Sequence, residues 1–158
     1  MELFPGLFYC IDTCSLIELR RRYPRSVFPT LWGNIESLIH QGRLIAPREV
    51  LHELEEQDDE LLDWTKRHRI MFKDLDQRQL QLVRDILRNF PSLVDPNKMT
   101  PDADPFVIAL AISERCTVIT EERQANPWER PKIPNVCENH NVRCIRLIEL
   151  FEREGWRF

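Results

Sequence analysis

Glycine is scarce in this chain, at four of 158 residues, and no apolar run approaches the roughly 20 residues of a membrane span. The first shortage, with mixed charge and recurring apolar segments, argues against a disordered chain. The second excludes a long membrane helix. Met1-Glu2-Leu3-Phe4-Pro5 lacks the basic start and long apolar stretch of a signal peptide, so the expected location is cytoplasmic. There is no internal repeat, low-complexity tract or interdomain linker. Residues 1–158 are therefore expected to form a single domain, long enough to bury roughly two thirds of its unfolded surface.

A disulfide framework is also missing. The five cysteines, Cys10, Cys14, Cys116, Cys137 and Cys144, are odd in number, irregularly spaced and contain no Cys-x-x-Cys pair. The four histidines do not approach them at zinc-ligand spacing. Cys10, Cys116 and Cys144 sit among apolar residues and read as buried, inert thiols; His40, His52, His68 and His140 read as surface residues. The net charge of −4 does not advertise nucleic-acid binding. The positive charge is nevertheless bunched at Arg20-Arg21-Arg22 with Arg25, at Lys66-Arg67-His68-Arg69, and at Arg130 with Lys132. Such clusters suit either a phosphate backbone or solvated helix ends. Arg20, Arg21 and Arg22 are the candidates for RNA contact, since they follow Asp12 by about two helical turns.

Short apolar runs alternate with helical patterns, which predicts βαβ units and a mostly parallel sheet. Strands are expected at residues 7–11, 44–46, 70–72, 117–120 and 143–145. Between them lie helical patterns at 13–21, ended by Tyr23-Pro24, and at 29–40, stopped by Gly42. A third helix starts at Pro47 and is broken by the acidic stretch 55–60, ahead of a short helix carrying Leu61, Leu62 and Trp64. An amphipathic helix at 77–90 turns Leu80, Val83, Ile86 and Leu87 inward, and residues 92–101 read as a loop. The stretch 105–115 is apolar nearly all round and should be the most buried helix. A polar loop at 121–131, a short helix at 136–140 and a closing helix at 147–154 complete the chain.

Four acidic positions fall where such a fold would bring them to one edge of its sheet. Asp12 ends the run Leu7-Phe8-Tyr9-Cys10-Ile11, and Glu53 rides the helix after the second strand. Asp104 opens the apolar helix, and Glu121-Glu122 leave the fourth strand. Carboxylates at the carboxyl edge of a parallel sheet suggest a divalent-cation site and phosphate chemistry. Each acid also has an ordinary explanation. Asp12 or Thr13 suits a helix cap, and Asp104 before Pro105 suits an N-cap followed by proline at the first helical position. Glu53 suits a solvated helix flank, and Glu121-Glu122 a loop. The weight lies in all four occurring in order.

In that order the chain resembles the PIN (PilT N-terminus) domain family. Asp12 after the first strand, Glu53 on the helix after the second, the Ala-Asp-x-x-x-Ile-Ala-Leu-Ala stretch from Ala103 to Ala111, and Thr-x-acid from Thr120 to Glu122 carry the resemblance. It covers essentially the whole chain and points to a bacterial PIN-like subfamily related to toxin–antitoxin ribonucleases. It implies a three-layer α/β/α sandwich with a five-stranded sheet in the order 3-2-1-4-5, and metal-dependent endoribonuclease cleavage of single-stranded RNA. Asp12, Glu53 and Asp104 match the family's first three acids. Glu122 stands at the fourth, where the family usually has Asp; the extra methylene moves the carboxylate, and Glu121 is the alternative. Asp102 has no clear counterpart and is an auxiliary ligand candidate. Thr13, Ser15 and Thr120 are candidates for orienting the ligands.

An all-oxygen ligand set favours Mg2+ or Mn2+ over zinc, with Asp12 as the central ligand. The implied partners are a single-stranded RNA substrate, an antitoxin protein and a second copy of the chain, with no membrane. Three rival readings stand beside this one. The first is a catalytically inactive PIN-like module that binds RNA or a protein, its activity lost with the altered fourth acid. The second is a Toprim-type site at Asp102-Ala103-Asp104, disfavoured because those acids precede a helix. The third is a phosphatase of the haloacid dehalogenase type, disfavoured because Thr13-Cys14 follows Asp12 where Asp-x-Asp is required.

Overall fold

A computed structural model describes residues 7–97 and 102–158. Five strands, β1 (Tyr9–Ile11), β2 (Leu44–Pro47), β3 (Phe72–Lys73), β4 (Thr117–Ile119) and β5 (Cys144–Ile145), form one parallel sheet in the order β3-β2-β1-β4-β5. The order is the one the resemblance implies. Tyr9, Cys10 and Ile11 of β1 are wholly buried, as expected for a central strand covered on both faces. Tyr9 stands in register with Leu44 on one side and Thr117 on the other.

Among the described residues eight helices flank the sheet: α1 (Thr13–Arg22), α2 (Pro29–His40), α3 (Arg48–Gln57), α4 (Asp59–Arg67), α5 (Gln77–Asn89), α6 (Asp104–Glu114), α7 (Ile133–Asn139) and α8 (Leu147–Glu154). Helix α6 packs on β1, β2 and β4 and is itself covered by α5 and α7, while α1, α3 and α4 pack together. Val107, Ile108, Ala109, Leu110 and Ala111 of α6 are all buried. This explains its nearly continuous apolar sequence: a helix between a sheet and another helix has little face left for water.

Strand order reverses at β1, whose neighbours are the second and fourth strands. The crevice at the carboxyl ends of such strands is where open α/β sheets place their ligands. Asp12 lies there directly after β1, and Thr120 directly after β4. Asp12 N donates to Ile119 O (3.1 Å), which ties the two strand ends together.

Several expectations are corrected. The segment expected as a strand at 70–72 is a 3-10 turn, Arg69–Met71, followed by a two-residue strand. Phe72 N bonds back to Arg69 O, turning Met71 into the core, and β3 meets β2 only at Ala46 and Pro47. The acidic stretch does not break α3 until Asp58, whose side chain accepts from Glu60 N and Leu61 N (3.1 and 3.3 Å) and so starts α4. His68 is buried, not on the surface, because the end of α4 folds its ring against Trp64 (4.8 Å between centroids). Cys144 is half-buried on an edge strand, and Leu80 and Leu87 are half-buried. Of the expected loop at 92–101, residues 98–101 lie outside the described residues, as does the segment read for a signal peptide.

Candidate active site

Asp12 is 2% exposed and caps α1, accepting from Ser15 N at 2.8 Å. The Thr120 hydroxyl also hydrogen-bonds its carboxylate and accepts from Glu122 N (3.1 Å), so one side chain links the first acid to the backbone of the last. Ser15 Oγ donates to Ile119 O (3.2 Å) and braces α1 against β4. Burial pushes the Asp12 carboxyl above the ordinary range; the bonds from Thr120 and Ser15 oppose that shift and Glu121 adds to it.

Glu53, 5% exposed on α3, receives Thr13 Oγ1 on one oxygen (2.5 Å) and Ala103 N on the other (3.3 Å). It thereby joins the N-terminal ends of α1 and α6. Asp104 does not cap α6: Ala103 is the N-cap residue, and Asp104 is the first helical residue. Asp102 Oδ1 accepts from Asp104 N (3.1 Å). The Asp104 carboxyl is pushed well above its usual value by burial first, then by Asp102, Glu122, Asp12 and Glu53.

Glu121 and Glu122 separate sharply. Glu121 accepts Leu147 N (2.8 Å) at the start of α8, pairs with Arg146 (3.1 Å) and lies 3.9 Å from Arg22. Glu122 turns towards the other acids. Its carboxyl is raised by burial and then by Asp12, against a backbone bond from Ile133 and the charge of Lys132, and its buried Oε1 has no hydrogen-bond partner. Cys14, exposed as a residue, has its thiol pushed up to about 12 by local desolvation and by Asp12, Asp104, Glu122 and Glu53. The four acids thus share one electrostatic environment, although they come from four separate elements.

Among the described residues, no three acidic, histidine or cysteine side chains already stand at the spacing of a formed metal site. The chemistry of the set nonetheless suits a hard divalent cation. The donors are all oxygen, three of the carboxyls are raised by burial and by neighbouring acids, and a buried carboxylate oxygen is orphaned.

The three arginines are largely engaged. Arg20 bonds Asp58 (2.7 Å) and Glu60 (2.8 Å), fastening α1 to α4. Arg22 pairs with Glu18 (2.8 Å), and the more exposed Arg21 reaches the same acid at 3.5 Å. Surface clefts of about 570 and 420 Å³ open beside Arg20 and Arg25, and beside His140 and Arg143; none of the acids matched to the family lines either. Sequence reasoning gave no role at the acids to Arg146, Leu147, Lys132 or Ile133, whose contacts with Glu121 and Glu122 come from 10 to 26 residues away and have no local signature.

The family model described as a domain of unknown function, DUF4411, matches residues 9–158. No curated protein matches. Among solved structures, a chain in the crystal structure of VapBC2 from Rickettsia felis, bound to a DNA fragment from the promoter, superposes with a TM-score of 0.52 at 15% identity. The match covers 88% of this chain and 98% of that one. The fold is accordingly PIN-like.

Proposed function

The chain belongs to the DUF4411 family, and we propose that it is a metal-dependent endoribonuclease that hydrolyses phosphodiester bonds of single-stranded RNA, acting as the toxin of a toxin–antitoxin pair. One observation carries the reading: Asp12 and Glu122 both raise the Asp104 carboxyl and Asp12 raises that of Glu122 at the reversal point of the sheet, with Glu53 hydrogen-bonded into the same junction. Burying several ionised carboxylates together is costly in a folded protein unless a cation or a proton neutralises them. The likeness to a VapBC2 structure supports the same reading through the fold.

Asp12, Glu53, Asp104 and Glu122 are the residues that would hold Mg2+ or Mn2+, with Asp102 beside them and Glu121 in support through Arg146. When bound, a divalent cation supplies Lewis acidity towards the phosphodiester. The chain's own contribution is positional. Thr120 and the Ser15 amide orient Asp12, and Thr13 with the Ala103 amide orients Glu53. Arg21 and Arg22 offer charge to the RNA backbone from the last turn of α1, and Arg20 supports them from its bridge to α4. The remaining proposals are a single domain, an antitoxin partner, a second copy of the chain and a cytoplasmic setting. Among the described residues no helix is long and apolar enough to cross a membrane.

A second reading, a catalytically inactive module that binds RNA or a protein partner, is favoured by the glutamate at the fourth acid position and by the open spacing of the acids. Cleavage of labelled single-stranded RNA with Mg2+, Mn2+ or chelator decides between the two. The nuclease reading requires cation-dependent cleavage that is lost in Asp12→Asn. A wild-type chain that binds but never cuts RNA supports the module.

A further inference from the structure

The loop that leaves Glu122 holds a feature the acids do not use. Trp128 is 82% exposed, the highest value for a large hydrophobic side chain among the described residues. Its loop begins at Glu122 and closes on it again, since Ile133 donates a backbone bond to the Glu122 carboxylate. The loop is braced. The Asn135 side chain accepts Ala125 N (2.9 Å) and donates to Ala125 O (3.0 Å), and Arg130 donates to Ser92 O (3.0 Å) and Val94 O (2.8 Å). At the tip, Glu129 N bonds Asn126 O (3.0 Å) and the Glu129 carboxylate accepts Asn126 N (3.0 Å). The tryptophan is therefore presented to water by a built turn.

Its surroundings select the partner. Asn126, Pro127, Glu129 and Arg130 are all exposed, so the ring stands alone among mainly polar groups. A protein-binding hot spot centres instead on a desolvated apolar cluster. Arg123 is exposed and makes no ion pair among the described residues, and Arg130, two residues after the ring, is met by neutral carbonyls, so two positive charges remain available on the tryptophan's loop, while the charge of Lys132 acts on Glu122. A flat aromatic face among cations suits an unpaired base and the phosphates on either side of it.

We propose that Trp128 is a stacking platform for an unpaired base of single-stranded RNA, with Arg123 and Arg130 meeting the adjoining phosphates. This rests on the nuclease reading for the location of the RNA. The six chain steps from Glu122 to Trp128 limit their separation to about 20 Å, so the platform holds the strand a few nucleotides from the acids.

The test is binding without cleavage: the wild-type chain in chelator, titrated with a short fluorescent oligouridylate, beside Trp128→Ala and Trp128→Phe. Loss of one stacked base weakens binding about tenfold or more in the alanine variant, and phenylalanine restores most of it. A duplex of the same strand shows no such difference. The single strand also quenches tryptophan emission in the wild type, and that quench disappears in Trp128→Ala. Equal single-strand affinity in wild type and Trp128→Ala overturns the proposal, as does absence of binding by both. An alanine variant that keeps its RNA affinity but loses a protein partner assigns the ring to protein docking and overturns it equally. Cleavage is scored separately in Mg2+, so tryptophan-dependent binding without cleavage sinks the nuclease reading and leaves this one standing.

Discussion

Thr13 and Glu53 lie 40 residues apart and are joined by a buried hydrogen bond of 2.5 Å, hydroxyl to carboxylate. The other Glu53 oxygen accepts the Ala103 amide. A single glutamate thus fastens the residue after Asp12 to the residue before Asp104, and the placing of two acids depends on a third.

Thr13→Val removes the hydroxyl and keeps the shape. It takes one hydrogen bond from a buried carboxylate, so stability should fall by about 1–3 kcal/mol. Cation-dependent RNA cleavage should fall further than the change in folded population accounts for. Denaturant melts and cleavage rates on the same preparation check this; a stable variant with full activity removes Thr13 from any positioning role.

Asp12→Asn should abolish cleavage while leaving the fold intact, because asparagine is as good an N-cap as aspartate for the Ser15 amide. Circular dichroism and a thermal melt establish the fold, and the cleavage assay reports the loss. Wild-type cleavage by the folded variant means that the site is elsewhere.

Asp104 makes a pH prediction whose sign is fixed by its raised carboxyl. The folded protein holds this proton to a higher pH than the unfolded chain does, so in chelator the ionised group costs stability above the raised value. That cost is relieved as pH falls towards the ordinary aspartate range near 3.8. Asp104→Asn should be more stable than wild type at neutral pH in chelator, and the gap should close under acid conditions. Since Ala103 and not Asp104 caps α6, loss of a cap should not offset the gain. Paired melts from neutral to acid pH test it; a variant less stable at neutral pH contradicts the repulsion argument.

Mg2+ or Mn2+ should stabilise the wild type by about 2.7 kcal/mol at 100 times its dissociation constant. The effect should shrink in Asp104→Asn and in Glu122→Gln. A melting temperature indifferent to both ions would count heavily against the four acids as a metal site.

Within the described chain, strand and helix positions followed from sequence wherever local pattern decides them. Helix α8 matches its expected bounds, and α1 and α5 differ by a residue at one end. Apolar periodicity and turn-forming residues act over neighbours, so one sequence displays them. The exceptions lie where a distant surface intervenes. Residues 70–72 looked like a strand, but the core draws Met71 inward and leaves β3 only two residues long. His68 looked solvated until Trp64 stood beside it.

The acids divide along the same line. That Asp12 would sit at the end of the central strand is a property of the run before it, legible without a structure. Which acid caps a helix, and which of two adjacent glutamates faces the others, is not. Asp12 caps α1 while Asp104 is left to face its fellow carboxylates, because α6 begins one residue earlier, with Val107 N bonded to Ala103 O. Glu121 turns away because the Leu147 amide and Arg146 wait for it at α8, and Glu122 is left facing Asp12. Local order determined where along the chain the acids lie. Their orientation was decided by partners that only the folded sheet brings within hydrogen-bonding distance.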